Sequence, residues 1–144
     1  MENIRHQLDE NFRSRFNNKF RFPEGKVRRT IFPTTAYKQL SCKNEYGYYS
    51  KGIATLTIPA GSTVVRAINS DGKLRSDEVY VEKIEDLDGN IIDDSYQCVG
   101  AVRRKPVYKT GSVIKPSKPL NTNINDICVQ GIHFFLSKEK ARKY

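Results

Sequence analysis

The sequence predicts a mainly β (α+β) fold, an antiparallel β-sandwich or barrel with a short helix near each terminus. Three observations predict it. Short runs rich in Val, Ile, Thr and Tyr recur roughly every 10–15 residues, a spacing typical of all-β domains. Strong turn signals separate them, above all Asn69-Ser70-Asp71-Gly72 and Asp86-Leu87-Asp88-Gly89-Asn90, where glycine supplies positive φ at no steric cost. Eight Tyr and seven Phe, with no Trp, make up the aromatic content, and such side chains suit a pleated surface. At 144 residues the length fits one domain with a real core. The expected organisation is a basic amphipathic arm or helix over residues 1–25 and a single β-rich domain over 26–144.

Taken in order, Ile4, Leu8, Phe12, Phe16 and Phe20 recur at a spacing of four among Arg5, Arg13, Arg15, Lys19 and Arg21. That near-helical stripe predicts a helix over residues 3–16, with an irregular stretch up to Pro23 and Gly25. Residues 26–32 read as a strand stopped by Pro33. Residues 34–50 read as tyrosine-rich and irregular. Residues 51–59 read as a strand, with Ile53, Leu56 and Ile58 apolar and Thr55 and Thr57 between them. Strands follow at 63–68, within 73–84, and at 96–102. Residues 107–115 predict one strand or a pair bent at Gly111. The closing strand, 128–136, runs into a short helix capped by Ser137.

Charge is polarised along the chain. The formal net charge is +9, yet acids outnumber bases over residues 39–100, while both ends are strongly basic. Such ends favour acidic protein faces, nucleic acid or an anionic surface. No apolar run reaches the ~20 residues of a membrane-spanning helix, so no transmembrane segment is expected. The amino-terminal residues lack the apolar core of a signal peptide. Cys42, Cys98 and Cys128 are widely spaced and are expected to be reduced thiols in a reducing compartment.

Chemistry-bearing patterns are sparse. There is no Cys-x-x-Cys pair and no phosphate-binding glycine loop, so neither a metal nor a cofactor is expected. The paired acids Asp77-Glu78, Glu85-Asp86 and Asp93-Asp94 sit at turns and strand ends, where solvated carboxylates are ordinary. His133 lies inside Gly131-Ile132-His133-Phe134-Phe135. Strand alternation puts it on one face with Phe135, and puts Ile132, Phe134 and Leu136 on the other. The same parity turns Cys128 away from His133, so no catalytic residue is assigned. The candidate partner- or anion-binding residues are Arg5, Arg13, Arg15, Arg28, Arg29, Arg103, Arg104 and Lys105. The candidate pocket residues are Arg75 and His133.

Several segments carry a resemblance: Gly52 to Pro59, Lys73-Leu74-Arg75 with Val79 to Ile84, Tyr108 to Pro116, and Cys128-x-x-Gly131-Ile132-His133-Phe134-Phe135 followed by Ala141-x-x-Tyr144. From residue 51 onward the chain resembles a domain of unknown function of large double-stranded DNA viruses, which in several viral proteins follows pentapeptide repeats. No such repeats occur here. The resemblance implies a viral setting and a β fold, and it transfers no activity. The resulting expectation is a non-enzymatic structural or interaction protein, a minor virion component docking on other coat proteins through its basic arm. Other viral proteins are the expected partners, and the virion or host cytoplasm the expected location. One alternative is nucleic-acid binding through the basic clusters. Another is an enzyme or ligand-binding domain with a small pocket around His133, taking a phosphate-bearing or nucleotide-like ligand. The oligomeric state is left open.

Overall fold

The computed structural model describes residues 12–144. Ten strands form one antiparallel sheet: β1 (Lys26–Arg29), β2 (Thr34–Lys43), β3 (Tyr49–Ile58), β4 (Thr63–Arg66), β5 (Lys73–Ser76), β6 (Val79–Asp86), β7 (Gln97–Gly100), β8 (Val107–Tyr108), β9 (Val113–Ile114) and β10 (Ile132–Phe135). Their order is β1-β4-β5-β10-β2-β3-β6-β9, with β7 branching from β2 and β8 following β7. The mainly β architecture with short helices toward both ends is the one that turn spacing predicts.

The longest pairing joins β2 to β3, in register from Thr34↔Ile58 to Lys43↔Tyr49. Asn44 closes the hairpin by accepting from the Tyr46 and Tyr48 amides at 3.0 and 2.9 Å. Residues 34–43 are therefore a full strand rather than the irregular stretch expected. The reason is burial on both faces. Ala36, Leu40 and Cys42 meet Ala54, Leu56 and Ile58 in the main core. On the other face Tyr37 and Ile53 join Phe135 and Ala141 in a second, smaller core. A strand covered on two sides loses its apolar–polar alternation. Ile53, out of step with Leu56 and Ile58, is the sequence trace of that second core.

The carboxy-terminal helix (Lys138–Lys143) covers this second face. Ser137 accepts the Lys140 amide, as its capping position predicts. Gln39, buried on β2, donates to the Arg142 carbonyl at 2.9 Å, satisfying one of the last orphan oxygens of the helix. Lys138 pairs with buried Glu85 of β6 at 2.5 Å, and Ala141 is wholly buried.

At the other end, residues 12–16 are helical and continue into a π-helical turn, Asn17–Arg21. The winding thus runs through the stretch expected to be irregular, while residues 3–11 lie outside the described residues. Phe22 closes the wide turn by donating to the Asn17 carbonyl at 2.7 Å, which delivers its own ring to the core at 3% exposure. Arg66 Nη1 ties down the freed carbonyls of Asn18 and Phe22 at 2.7 and 3.1 Å.

Three further differences come from breaks that residue pattern hides. The 26–32 strand ends at Arg29, and residues 73–84 split into β5 and β6 around Asp77 and Glu78. Residues 107–115 form the second of the two expected arrangements, a pair, β8 and β9, divided by a turn with Gly111 at φ 83°. The closing strand is only Ile132–Phe135, because residues 127–131 bend to follow a loop held from behind. Cys42 and Cys98 are directly opposed in the β2–β7 register and form a disulfide with a Cα–Cα distance of 4.0 Å. The expectation of three reduced thiols thus holds only for Cys128.

Candidate functional site

β2 offers one edge to β3 and shares its other edge between two strands. β10 meets that edge at Tyr37, through Phe135, and β7 meets it from Leu40 to Lys43. Lys38 and Gln39 lie in the gap. There the sheet forks, and a cavity of about 100 Å³ fills the fork. Its wall draws on β2, β5, β10, the β7–β8 connection and the loop that leads into β10. Ligand pockets for drug-sized molecules run to roughly 300–1,000 Å³, so this one suits a ligand of few heavy atoms, smaller than a nucleotide.

The wall is one-sided in charge. Lys38, Lys73, Arg103, Lys105 and Lys118 line it, and none of the described lining residues is Asp or Glu. Lys38 is the unusual member. It stands on the core face of β2 in step with Ala36, Leu40 and Cys42, and its Nζ donates to the His133 carbonyl at 2.8 Å. The Tyr108 ring lies 5.8 Å from the same nitrogen. Burial chiefly, then the charges of Lys73 and Arg103, pull its pKa down to about 7. Desolvation and like charge both disfavour the ammonium form.

Gly100 makes room for this lysine and for the loop that follows. A Cβ there would stand 2.9 Å from the Arg103 carbonyl oxygen and 3.6 Å from Lys38 Cε. Arg103 in turn donates to the Cys128 carbonyl at 3.0 Å. Lys73 Nζ bonds the Tyr144 hydroxyl, sits 4.4 Å from that ring, and reaches the Cys128 thiol at 4.0 Å. Tyr144 is held by Phe135, ring to ring at 5.4 Å. Tyr144 thereby becomes part of the wall.

His133 is 8% exposed. Its Nε2 lies 3.2 Å from the Ile127 carbonyl. A carbonyl can only accept, so Nε2 carries the proton and Nδ1 is bare. Burial first, then Lys38 and Lys73, lower its pKa to about 3. At neutral pH the ring is uncharged and cannot serve as an acid. Its alternation is as the sequence reads, with Ile132, Phe134 and Leu136 in the main core and Phe135 in the second. Cys128 lies outside β10, so the parity that would turn it from His133 does not operate, and both residues line the cavity.

Arg75, the register partner of His133, turns to a different task. It is 2% exposed, and its guanidinium donates to the carbonyls of Asn121, Asp126 and Asn123 at 2.8, 2.8 and 2.7 Å. Burial lowers its pKa, with Asp126 opposing. Together Arg75 and His133 hold four carbonyls of the loop over residues 121–127 behind the cavity. Gly131 lets β5 pass beneath it, with φ +144° and a virtual Cβ only 2.7 Å from Leu120 Cδ1 and 3.1 Å from Arg75 Cβ.

The other candidates disperse. Of the β7–β8 cluster, Arg103 and Lys105 line the cavity, whereas Arg104 is exposed outside it. Arg28 and Arg29 are exposed on β1 at the far end of the sheet order. Arg13 borders a second cavity beside Phe12 and Phe16, and Arg15 is exposed. Arg5 lies outside the described residues. The paired acids work on backbone: Asp86 accepts from the Asp88 and Asn90 amides, each at 2.9 Å, and Asp77 from the Thr63 amide at 3.0 Å. Among the described residues no three His, Cys, Asp or Glu side chains cluster as a metal site would require. Sequence reasoning missed Lys38, though a signal existed: Ala36-x-Lys38-x-Leu40-x-Cys42 places one charge on an otherwise apolar alternation.

The sequence profile of a family of unknown function, DUF5758, matches residues 9–141. Three proteins of Acanthamoeba polyphaga mimivirus are similar over most of their length. Uncharacterized protein L796 is 37% identical over 128 residues, covering 88% of this chain and 84% of its own. Uncharacterized protein L223 is 33% identical, with 76% and 82% covered. Uncharacterized protein L812 is 31% identical, with 88% and 90% covered. No solved structure matches the chain.

Proposed function

We propose that the chain, which belongs to the DUF5758 family and has giant-virus proteins as relatives, is a binding domain for a small anionic ligand. The site is the forked cleft between β7 and β10. One observation carries the reading: Lys73, Arg103, Lys105 and Lys118 converge with Lys38 on a single small cavity, with no Asp or Glu among its described lining residues. Cations gathered without counter-charges repel one another, and a bound anion relieves that repulsion.

Calorimetric titration with inorganic phosphate tests this. Binding should weaken about tenfold, or ~1.4 kcal/mol, in Arg103→Ala and again in Lys73→Ala, and should fall as salt rises. Equal affinity in wild type and both variants, or no binding at low ionic strength, removes the reading.

A second reading rests on a different observation. Phe12, Phe16, Ile31 and Phe32 are 47–78% exposed; Phe12 and Phe16 border one cavity with Arg13 and Arg21, and Arg21 lies 5.8 Å from the Phe32 ring. Apolar residues exposed together and rimmed by charge mark protein-contact surfaces. This face would dock the chain, as a virion or host-cytoplasmic component, on an acidic face of another viral protein. Replacing Phe12 and Ile31 by Ser should reduce co-sedimentation with purified particles. Unchanged co-sedimentation of the folded variant would remove the docking role.

A further inference from the structure

Resting on the reading of the cleft as an anion site, we propose that Lys38 is a nucleophile whose Nζ condenses with the aldehyde or ketone carbonyl of a small ligand, while Arg103 and Lys73 hold that ligand's carboxylate or phosphate.

Placement carries the argument first. Lys38 occupies a core-facing position on a central strand, where an apolar residue would cost nothing, and the sheet forks beside it instead of closing over it. Partnering comes second. No described carboxylate pairs with Lys38; its bonded contact is the His133 carbonyl. A lysine kept as a structural charge is expected to have a counter-ion when buried. A neutral amine needs none, and can give one N–H to the His133 oxygen while its lone pair stays unengaged. Third, the titratable groups around it include Lys73 and Arg103, which disfavour the ammonium, neutral His133, and Tyr108, whose own pKa is raised by burial; Lys105, Lys118, Cys128 and Tyr144 stand on the same wall. Desolvation beside another cation is a recognised way to activate an amine.

The step balances without a redox partner. The Nζ lone pair forms a bond to the carbonyl carbon as the C=O π pair moves to oxygen. A proton passes from nitrogen to that oxygen through water, giving a carbinolamine. Loss of the hydroxyl as water leaves the imine, C=Nζ. One water is released, and nothing is oxidised or reduced. The cavity of about 100 Å³ suits a two- to four-carbon ligand, with its anion toward Arg103 and its carbonyl toward Lys38.

The test uses the full chain with three probes: glyoxylate for the carboxylate form, glycolaldehyde phosphate for the phosphate form, and propionaldehyde as the uncharged control. Cyanoborohydride reduces any imine by hydride transfer, and peptide mass mapping locates the adducts. At pH 7 Lys38 should be labelled at least about tenfold faster than exposed Lys43 or Lys51. Its labelling should rise through a midpoint near pH 7 and be faster with the anionic aldehydes than with propionaldehyde. The faster of the two anionic probes identifies the ligand's anion. Arg103→Ala should abolish the preference for charged aldehydes.

Lys38 labelled no faster than the exposed lysines overturns the proposal. If phosphate still binds through Arg103 in that case, the anion site stands and only the imine falls. If phosphate does not bind while Lys38 is labelled equally by all three aldehydes, the amine stands and the anion site falls.

Discussion

Arg75 and Lys38 are both cations on core-forming strands, and the fold treats them oppositely. Arg75 is surrounded: three carbonyl oxygens at 2.7–2.8 Å meet its planar fork, one at each nitrogen. Lys38 gets one carbonyl and an open cavity. A buried charge with its hydrogen bonds filled is a building element. One with most of them unmade, in company with like charge, is poised to meet a ligand or to give up its proton. The difference also follows from chemistry, since guanidinium stays charged wherever it is buried and an amine does not.

The comparison breaks most easily at Arg75. Arg75→Ala strands three inward carbonyls and empties a filled site. The expected loss is about 3–5 kcal/mol in urea unfolding, the range for removing one side of a buried charged network. A loss under ~1 kcal/mol would mean that the loop is held by other means. Gly131→Ala is the next largest. Its Cβ must displace Leu120 or Arg75, at a φ that favours glycine, so about 1–3 kcal/mol should go, with the phosphate affinity of the cleft falling alongside.

Lys38→Met is the small but diagnostic change. Replacing a poorly satisfied cation by a hydrophobe of similar length should be neutral or stabilising by about 1 kcal/mol at pH 7. The pH profile then sharpens the contrast. The folded-state pKa of Lys38, about 7, lies below its unfolded value near 10.4. Between those values the unfolded chain binds the extra proton, so wild-type stability rises with pH from about 7 toward 10. The melting temperature of Lys38→Met should lack that rise. Tyr108, with its pKa raised by burial, works against it only above pH 10. His133 adds a rise of the same sign between about 3 and 6.5 in both proteins. Parallel wild-type and variant profiles from pH 7 to 10 would show that Lys38 is an ordinary ammonium.

What sequence reveals here is what is local. The turns at Asn69–Gly72 and Asp86–Asn90, the Ser137 cap and the alternation through Ile132 to Leu136 all depend on neighbours in the chain, and all are legible. β2 is not, because its second covered face is supplied by a helix a hundred residues away. Cys128 misleads for a related reason. Its stretch looks like strand by composition, yet Arg75 draws the backbone before it into a loop. The cavity is the least legible feature, since it exists only where β7 and β10 part along one edge of β2. Arg103, Lys105 and His133 could be picked out singly, but nothing in their spacing announces that they converge.

The anchor beneath the cleft grips main-chain oxygen alone. Nothing in that grip reads the identity of the side chains around it, so Ser117 and Gln130, which flank the gripped loop in sequence and face the cavity, are free to drift. A lineage that keeps several copies of this domain can retune what each copy accepts without reopening the question of whether it folds.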